Sequence, residues 1–92
     1  SDLGARGAIV ALEDASLYEV IPPRVDAICP IGAGDALAAA YVWGFRKTGD
    51  PVEATRWGVA AGTASARLPG VSFASLEQTT EIYARVEARR LA

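Results

Sequence analysis

A chain of 92 residues is one domain at most, and 51% hydrophobic residues are enough for a core and argue against disorder. Nine basic residues against eleven acidic ones leave a net charge of −2, so a basic footprint for nucleic acid or an anionic membrane is missing. The chain has no histidine and a single cysteine, Cys29. This excludes Ser-His-Asp, Cys-His and histidine-zinc chemistry, an internal disulfide and a cysteine-rich metal site within the chain.

The predicted elements begin with a turn at Gly4-Ala5-Arg6-Gly7. Ala8 to Leu12 reads as a short buried strand, Glu13 to Ser16 as a polar turn, and Leu17 to Ile21 as a second strand completing a hairpin. Pro22-Pro23 ends that strand, because proline cannot donate to a ladder. Val25 to Ile28 is a short extended stretch leading to Pro30.

Three helices are expected after it. The first begins at Gly34 or Asp35, runs to about Lys47 and stops at Gly49. The second opens on Asp50 as N-cap, with Pro51 at the first helical position and Glu53 completing a capping box. It runs to about Arg67 and stops at Pro69-Gly70. Ser75 and Gln78 repeat the capping pattern, and the last helix is expected from Leu76 to near Arg90, with Leu76, Tyr83 and Val86 on one face and Ile82 adjacent. The Arg85, Arg89 and Arg90 cluster is then the solvated side of that helix.

Leu37, Tyr41, Val42, Trp43 and Phe45 point all round the first helix, with alanines between them. A helix apolar on every side is expected to be buried, and two short strands with two further helices barely enclose it. The chain also opens on a glycine turn with no strand leading in. Both features predict the C-terminal portion of a larger α/β domain rather than a self-contained one. Core packing is expected for Trp43, Trp57 and Cys29. The longest apolar run, Ala36 to Phe45, is far below a membrane span. With an unpaired cysteine and no charged leader, a cytoplasmic location is expected.

The stretch that carries chemistry is Ile31-Gly32-Ala33-Gly34-Asp35-Ala36. Two glycines one residue apart permit positive φ and close approach of a ligand to the backbone. The helix that follows presents unpaired N–H groups and its positive end, which together suit an anion such as phosphate. A carboxylate at Asp35 would repel that anion. It makes sense if it meets a hydroxyl that attacks the phosphate, as the base in phosphoryl transfer. The same residues also fit a plain turn followed by a helix-start acid, and short glycine motifs alone do not decide between the two. The Gly-x-x-x-x-Gly-Lys-Ser/Thr loop is absent, and Leu37 stands where the dinucleotide fingerprint needs its third glycine.

Ala27-Ile28-Cys29-Pro30-Ile31-Gly32-Ala33-Gly34-Asp35-Ala36 resembles the C-terminal signature of the ribokinase-like (PfkB-type) sugar kinases, Asp/Asn-Thr/Pro-x-Gly-Ala/Ser-Gly-Asp. Leu3 to Ala8 resembles that family's Thr-x-Gly-x-x-Gly nucleotide loop, and Arg56 to Ala66 its adenine-side helix. The three motifs occur in the family's order over essentially the whole chain. Pro30-Ile31-Gly32 and Arg56-Trp57-Gly58 are most similar to the phosphosugar branch, tagatose-6-phosphate kinase and 1-phosphofructokinase.

The resemblance implies a ribokinase-like three-layer αβα domain, of which residues 1–92 would be the C-terminal nucleotide-binding and catalytic portion. It implies ATP-dependent phosphorylation of a sugar or sugar-phosphate hydroxyl, with Asp35 as base and Gly32, Ala33 and Gly34 as the anion hole. Gly4, Ala5, Arg6 and Gly7 would lie near the nucleotide phosphates and ribose, and Ala61, Gly62 and Ser65 would pack adenine. Magnesium would bridge the phosphates, with few or no direct ligands from this chain. The expected partners are a small sugar or sugar phosphate and the N-terminal portion of the same domain. A homodimer is also allowed; nucleic acid and membrane are not expected.

Some positions depart from the pattern. Asp2 stands where the family has Ser or Thr, and Cys29 where it has Asp or Asn. Cys29 and Ile31 are poor ligands for a hard monovalent cation. These departures support a rival, a non-catalytic nucleotide-binding or subunit-packing module, against which Asp35 speaks. A further alternative keeps the kinase and changes the acceptor to ribose, a ketodeoxy acid or a nucleoside.

Overall fold

The computed structural model describes residues 7–26, 32–69 and 72–92. In chain order the elements are β1 (Ala8–Ala11), β2 (Leu17–Ile21), α1 (Ala33–Thr48), α2 (Pro51–Ala66), α3 (Leu76–Tyr83) and β3 (Glu87–Arg90). This is the expected α/β class.

The hairpin forms where the sequence predicts it, but β1, expected as a buried strand, buries only Ala8 fully. β1 and β2 pair antiparallel with Ala8 opposite Val20 and Val10 opposite Tyr18. Asp14 closes the turn, its Oδ1 accepting from the Ser16 amide at 3.0 Å. Side chains alternate across the pleat. Ala8 and Val20 are therefore buried, while Ile9, opposite Glu19, is 58% exposed. One face of the sheet meets α2, and the core gathers there: Ala8 and Val20 from the sheet, Val59, Ala60 and Ala64 from α2, and Ile82 and Val86 from the α3 region.

α2 is the central element. It touches all three strands and both other helices, and it is buried along almost its whole length. Its partner α1 lies close because glycine stands at both ends of the crossing. A Cβ on Gly44 would come 3.2 Å from the Ala54 Cα and the Trp57 Cβ. One on Gly58 would come 2.9 Å from the Leu37 carbonyl oxygen. The caps are as predicted at two of three points. Asp50 accepts from the Val52 amide at 2.9 Å, and the Ser75–Gln78 capping box is complete. The box predicted at Glu53 is not made, because the Glu53 carboxylate bonds Arg56 and Tyr83 instead.

Two expectations are corrected. The last helix does not run to Arg90. It ends at Tyr83, a tight turn follows through Ala84 and Arg85, and Glu87–Arg90 forms a third strand on the free edge of β2. Glu, Ala and Arg are good helix formers, but the open backbone groups of β2 outweigh that preference once the chain folds. The arginines are accordingly not one helix face. Arg85 lies in the turn, and Arg89 pairs across the sheet with Glu19 at 2.6 Å. Leu76, expected on the buried face of α3, is 63% exposed, and Ile82 takes the core position instead.

The second correction concerns α1. Only Ala33, Ala36 and Gly44 are buried on it, while Val42 is 52% and Phe45 43% exposed. Among the described elements α1 packs on α2 alone, so most of its apolar circumference has no partner. Trp57 is packed as expected; Trp43 is 39% exposed. The stretch after Pro23 is described only in part. Residues 24–26 form no regular element, with Val25 half-buried against the core; Ile28 and Cys29 lie outside the described residues.

Candidate active site at the start of the first helix

Gly32 is the N-cap of α1, with φ 89° and ψ −8°. That left-handed conformation is costly for any residue with a Cβ. Its carbonyl accepts the first helical bond, from the Ala36 amide at 3.0 Å. Glycine offers no side chain to the first turn, and no side-chain cap is made there. The leading amide hydrogens of a helix have no carbonyl within the helix to meet. Here they lie at the positive end of a sixteen-residue helix dipole.

Gly34 is different. It is helical and does not share the positive φ of Gly32. Among the described residues an added Cβ there would meet nothing within 4 Å, so Gly34 is not required by packing. Asp35 is exposed, in the first turn beside it. A carboxylate at this point is favoured by the helix dipole and is free to meet an incoming group.

Behind the helix end a groove of about 310 Å³ runs between α1, α2 and residues 73–79. Ala36, the neighbour of Asp35, lies at its wall, with Ala39 and Ala40 further along α1. Ala61 and Ser65 of α2 line the facing wall, one helical turn apart. Gly62 is buried but does not line the groove. The third wall is held by Ser65, whose Oγ accepts from the Ala74 amide at 3.0 Å. Trp43 and Trp57 lie edge to face at one end, with centroids 5.1 Å apart.

The structure therefore brings together Gly32, Ala33, Gly34 and Asp35 at the helix start, and Ala61 and Ser65 in the adjoining groove. Gly7 stands apart, before β1. Its φ of 70° and the Val20 carbonyl pressed against it explain glycine there without a ligand. Gly4, Ala5 and Arg6 lie outside the described residues, as do Asp2, Cys29 and Ile31. Phe73, Ala74 and Thr79 also line the groove and escaped the sequence. The Ser75 cap locates the start of α3, but nothing local says which way that helix faces.

The left-handed Gly32 cap, the amides of the first turn and the Asp35 carboxylate lie together at one end of α1 in this α/β fold. The model of the pfkB family carbohydrate kinases matches residues 2–79, and the chain belongs to that family. It is 33% identical over 82 residues to the ATP-dependent 6-phosphofructokinase isozyme 2 of Escherichia coli, covering 89% of this chain and 26% of that protein. It is 33% identical over 64 residues to the 1-phosphofructokinase of Borreliella burgdorferi, covering 70% of this chain and 21% of that one. The crystal structure of phosphofructokinase-2 from E. coli in complex with potassium superimposes with a TM-score of 0.79 at 33% identity, over 88% of this chain and 26% of that chain. The chain thus spans about a quarter of the length of the relatives it matches. Among the described residues no helix is long and apolar enough to cross a membrane.

Proposed function

We propose that this chain is the C-terminal nucleotide-binding and catalytic portion of an ATP-dependent kinase that phosphorylates a hydroxyl of a sugar phosphate, in the cytoplasm. The observation that carries the proposal is the exposed Asp35 carboxylate in the first turn of an α1 N-terminus that has no side-chain cap, next in the chain to Ala36 of the groove wall. The names of the relatives, 6-phosphofructokinase and 1-phosphofructokinase, support a phosphosugar acceptor.

In this reading the groove takes the adenine, with Ala61 and Ser65 against it, and the phosphates run to the helix end. The amides of the first turn steady the γ-phosphoryl group as charge spreads over its oxygens. Asp35 takes the proton of the sugar hydroxyl, whose oxygen attacks phosphorus as the bond to the β-phosphate oxygen breaks. Magnesium, if bound with the nucleotide, would supply charge neutralisation to its phosphates; among the described residues no group of three acidic or cysteine side chains gathers to hold it. The sugar pocket and the cover that excludes water belong to the preceding portion of the domain. Gly4 to Gly7 are assigned to the nucleotide loop on the motif alone.

The test is Asp35→Asn in the complete protein. Turnover should fall by about 10²–10⁴, the usual worth of a positioned base, with nucleotide affinity barely changed. Asparagine keeps the shape and removes the proton acceptor. Turnover within a few-fold of the parent would sink the assignment.

A further inference from the structure

Two walls of the groove are helices, α1 and α2, and the third is not. That wall opens with Phe73 and Ala74, which lie in no helix or strand, and continues into the start of α3 with Leu76 and Thr79. A helical wall keeps its shape through its own backbone bonds. An irregular segment depends on contacts made from outside it.

The two large apolar side chains of this wall do not supply those contacts, since Phe73 is 62% and Leu76 63% exposed. Ala74 does. Its side chain packs against the core, and its amide donates to Ser65 Oγ at 3.0 Å. Ser65 is 4% exposed, on a helix buried along almost its whole length, so the acceptor is fixed in place. The far end of α3 is held separately, by Tyr83 stacked on Trp57 and by Arg56.

We infer that Ser65 is a positioning residue for the nucleotide: through the Ala74 amide it sets the wall formed by Phe73 and Leu76, against which the base lies. This rests on the reading of the groove as the base site. Phe73 and Leu76 then stand exposed because they are the apolar surface that a flat base covers. A wall in place for only part of the time weakens the apparent affinity by that fraction. Removing the acceptor leaves the Ala74 amide unpaired whenever the wall is in place, which shifts that equilibrium by about fivefold or more. The coupling is reciprocal, so a bound nucleotide in turn protects the Ala74 amide.

The experiment uses the complete protein with MgATP as the probe, titrated calorimetrically. Ser65→Ala removes the acceptor. Ala74→Pro removes the donor and leaves the Ser65 hydroxyl in place, at a position before the α3 cap and outside any helix or strand. Ala39→Phe fills the groove from an exposed position on its α1 wall. Ser65→Ala and Ala74→Pro should each weaken MgATP by at least about threefold, and the double variant should weaken it no further. In the parent, which needs no variant, MgATP should slow hydrogen exchange of the Ala74 amide more than that of amides in the β1–β2 hairpin. Weakening in only one of the two variants, additive weakening in the double variant, or an Ala74 amide indifferent to MgATP overturns the positioning role. If Ala39→Phe still weakens binding by about tenfold in that case, the groove stays as the base site. Unchanged affinity in Ala39→Phe, or no binding of MgATP by the parent, overturns the placement of the base and the inference with it.

Discussion

Trp57 and Tyr83 stack ring on ring, with centroids 3.9 Å apart and planes 12° from parallel. The contact joins α2 to the last turn of α3, and it sets the Tyr83 hydroxyl on the Glu53 carboxylate one turn before Trp57. Arg56 completes the group, donating to Glu53 at 2.9 Å and to the Tyr83 oxygen at 3.0 Å. Its second amino group reaches the Val86 carbonyl at 3.3 Å, at the point where α3 has ended and β3 begins. The stack and its polar rim thus hold the turn that brings the third strand home.

That cluster gives stability a pH dependence at both ends. Burial pushes the Glu53 carboxyl up, but the hydrogen bonds from Tyr83 and Arg56 and the guanidinium charge outweigh it and leave it below the ordinary range. A depressed carboxyl contributes stability above its unfolded value, near pH 4.3, and loses it as pH falls through the folded value. Burial and the bond to Glu53 raise Tyr83, so its contribution is present below about pH 10 and is lost as pH climbs through the raised value. Urea unfolding across pH should show both limbs. Glu53→Gln should flatten the acid limb, and Tyr83→Phe should remove about 1 kcal/mol at neutral pH. Curves that coincide with the parent from pH 3 to 6 in Glu53→Gln would exclude this role.

The two glycines at the start of α1 should respond oppositely to alanine. Gly32→Ala forces a Cβ into a left-handed residue at the helix cap and should cost about 1–2 kcal/mol. Gly34→Ala sits in a helix with open space around it and should stabilise by about 0.5 kcal/mol. The same methyl stands in front of the helix end, so nucleotide affinity and turnover should both drop. Thermal melts read the first pair of effects and steady-state kinetics the second. A Gly34→Ala protein with unchanged kinetics would remove the phosphate from that end of α1.

The outer face of α1 should decide how the 92-residue chain behaves by itself. Val42 and Phe45 are exposed, and Tyr41 stacks on Phe45 with centroids 6.1 Å apart. Apolar patches of this kind drive association. The purified chain is expected to self-associate in analytical ultracentrifugation, and Val42→Glu with Phe45→Glu should shift it toward monomer. It should phosphorylate no sugar, because positioning supplies most of this catalysis and the proposed reading gives these residues no acceptor pocket. A monomeric parent chain, or one with measurable kinase activity, would contradict the expectation.

Local signals carried much of the architecture. The hairpin between Ala8 and Ile21, the Asp50 and Ser75 caps and the Gly32–Asp35 helix start depend on residues within a few positions of one another. Their chemistry is complete in the sequence, and so was the family. The rest depended on distance. Glu87–Arg90 carries a helical composition and became a strand because β2, some seventy residues earlier, offered an unpaired edge. Glu53 fits a capping box and was drawn instead to Arg56 and Tyr83, one close in the chain and the other thirty residues away. The sequence marked α1 as apolar all round, and only packing showed which side met α2. The groove is the clearest case: Ala61 and Ser65 were legible from a motif, whereas Phe73, Ala74 and Thr79 joined them only through the fold. Capping and turn chemistry are short-range and can be read along a chain, whereas edge pairing and cavity walls arise from segments that meet only after folding.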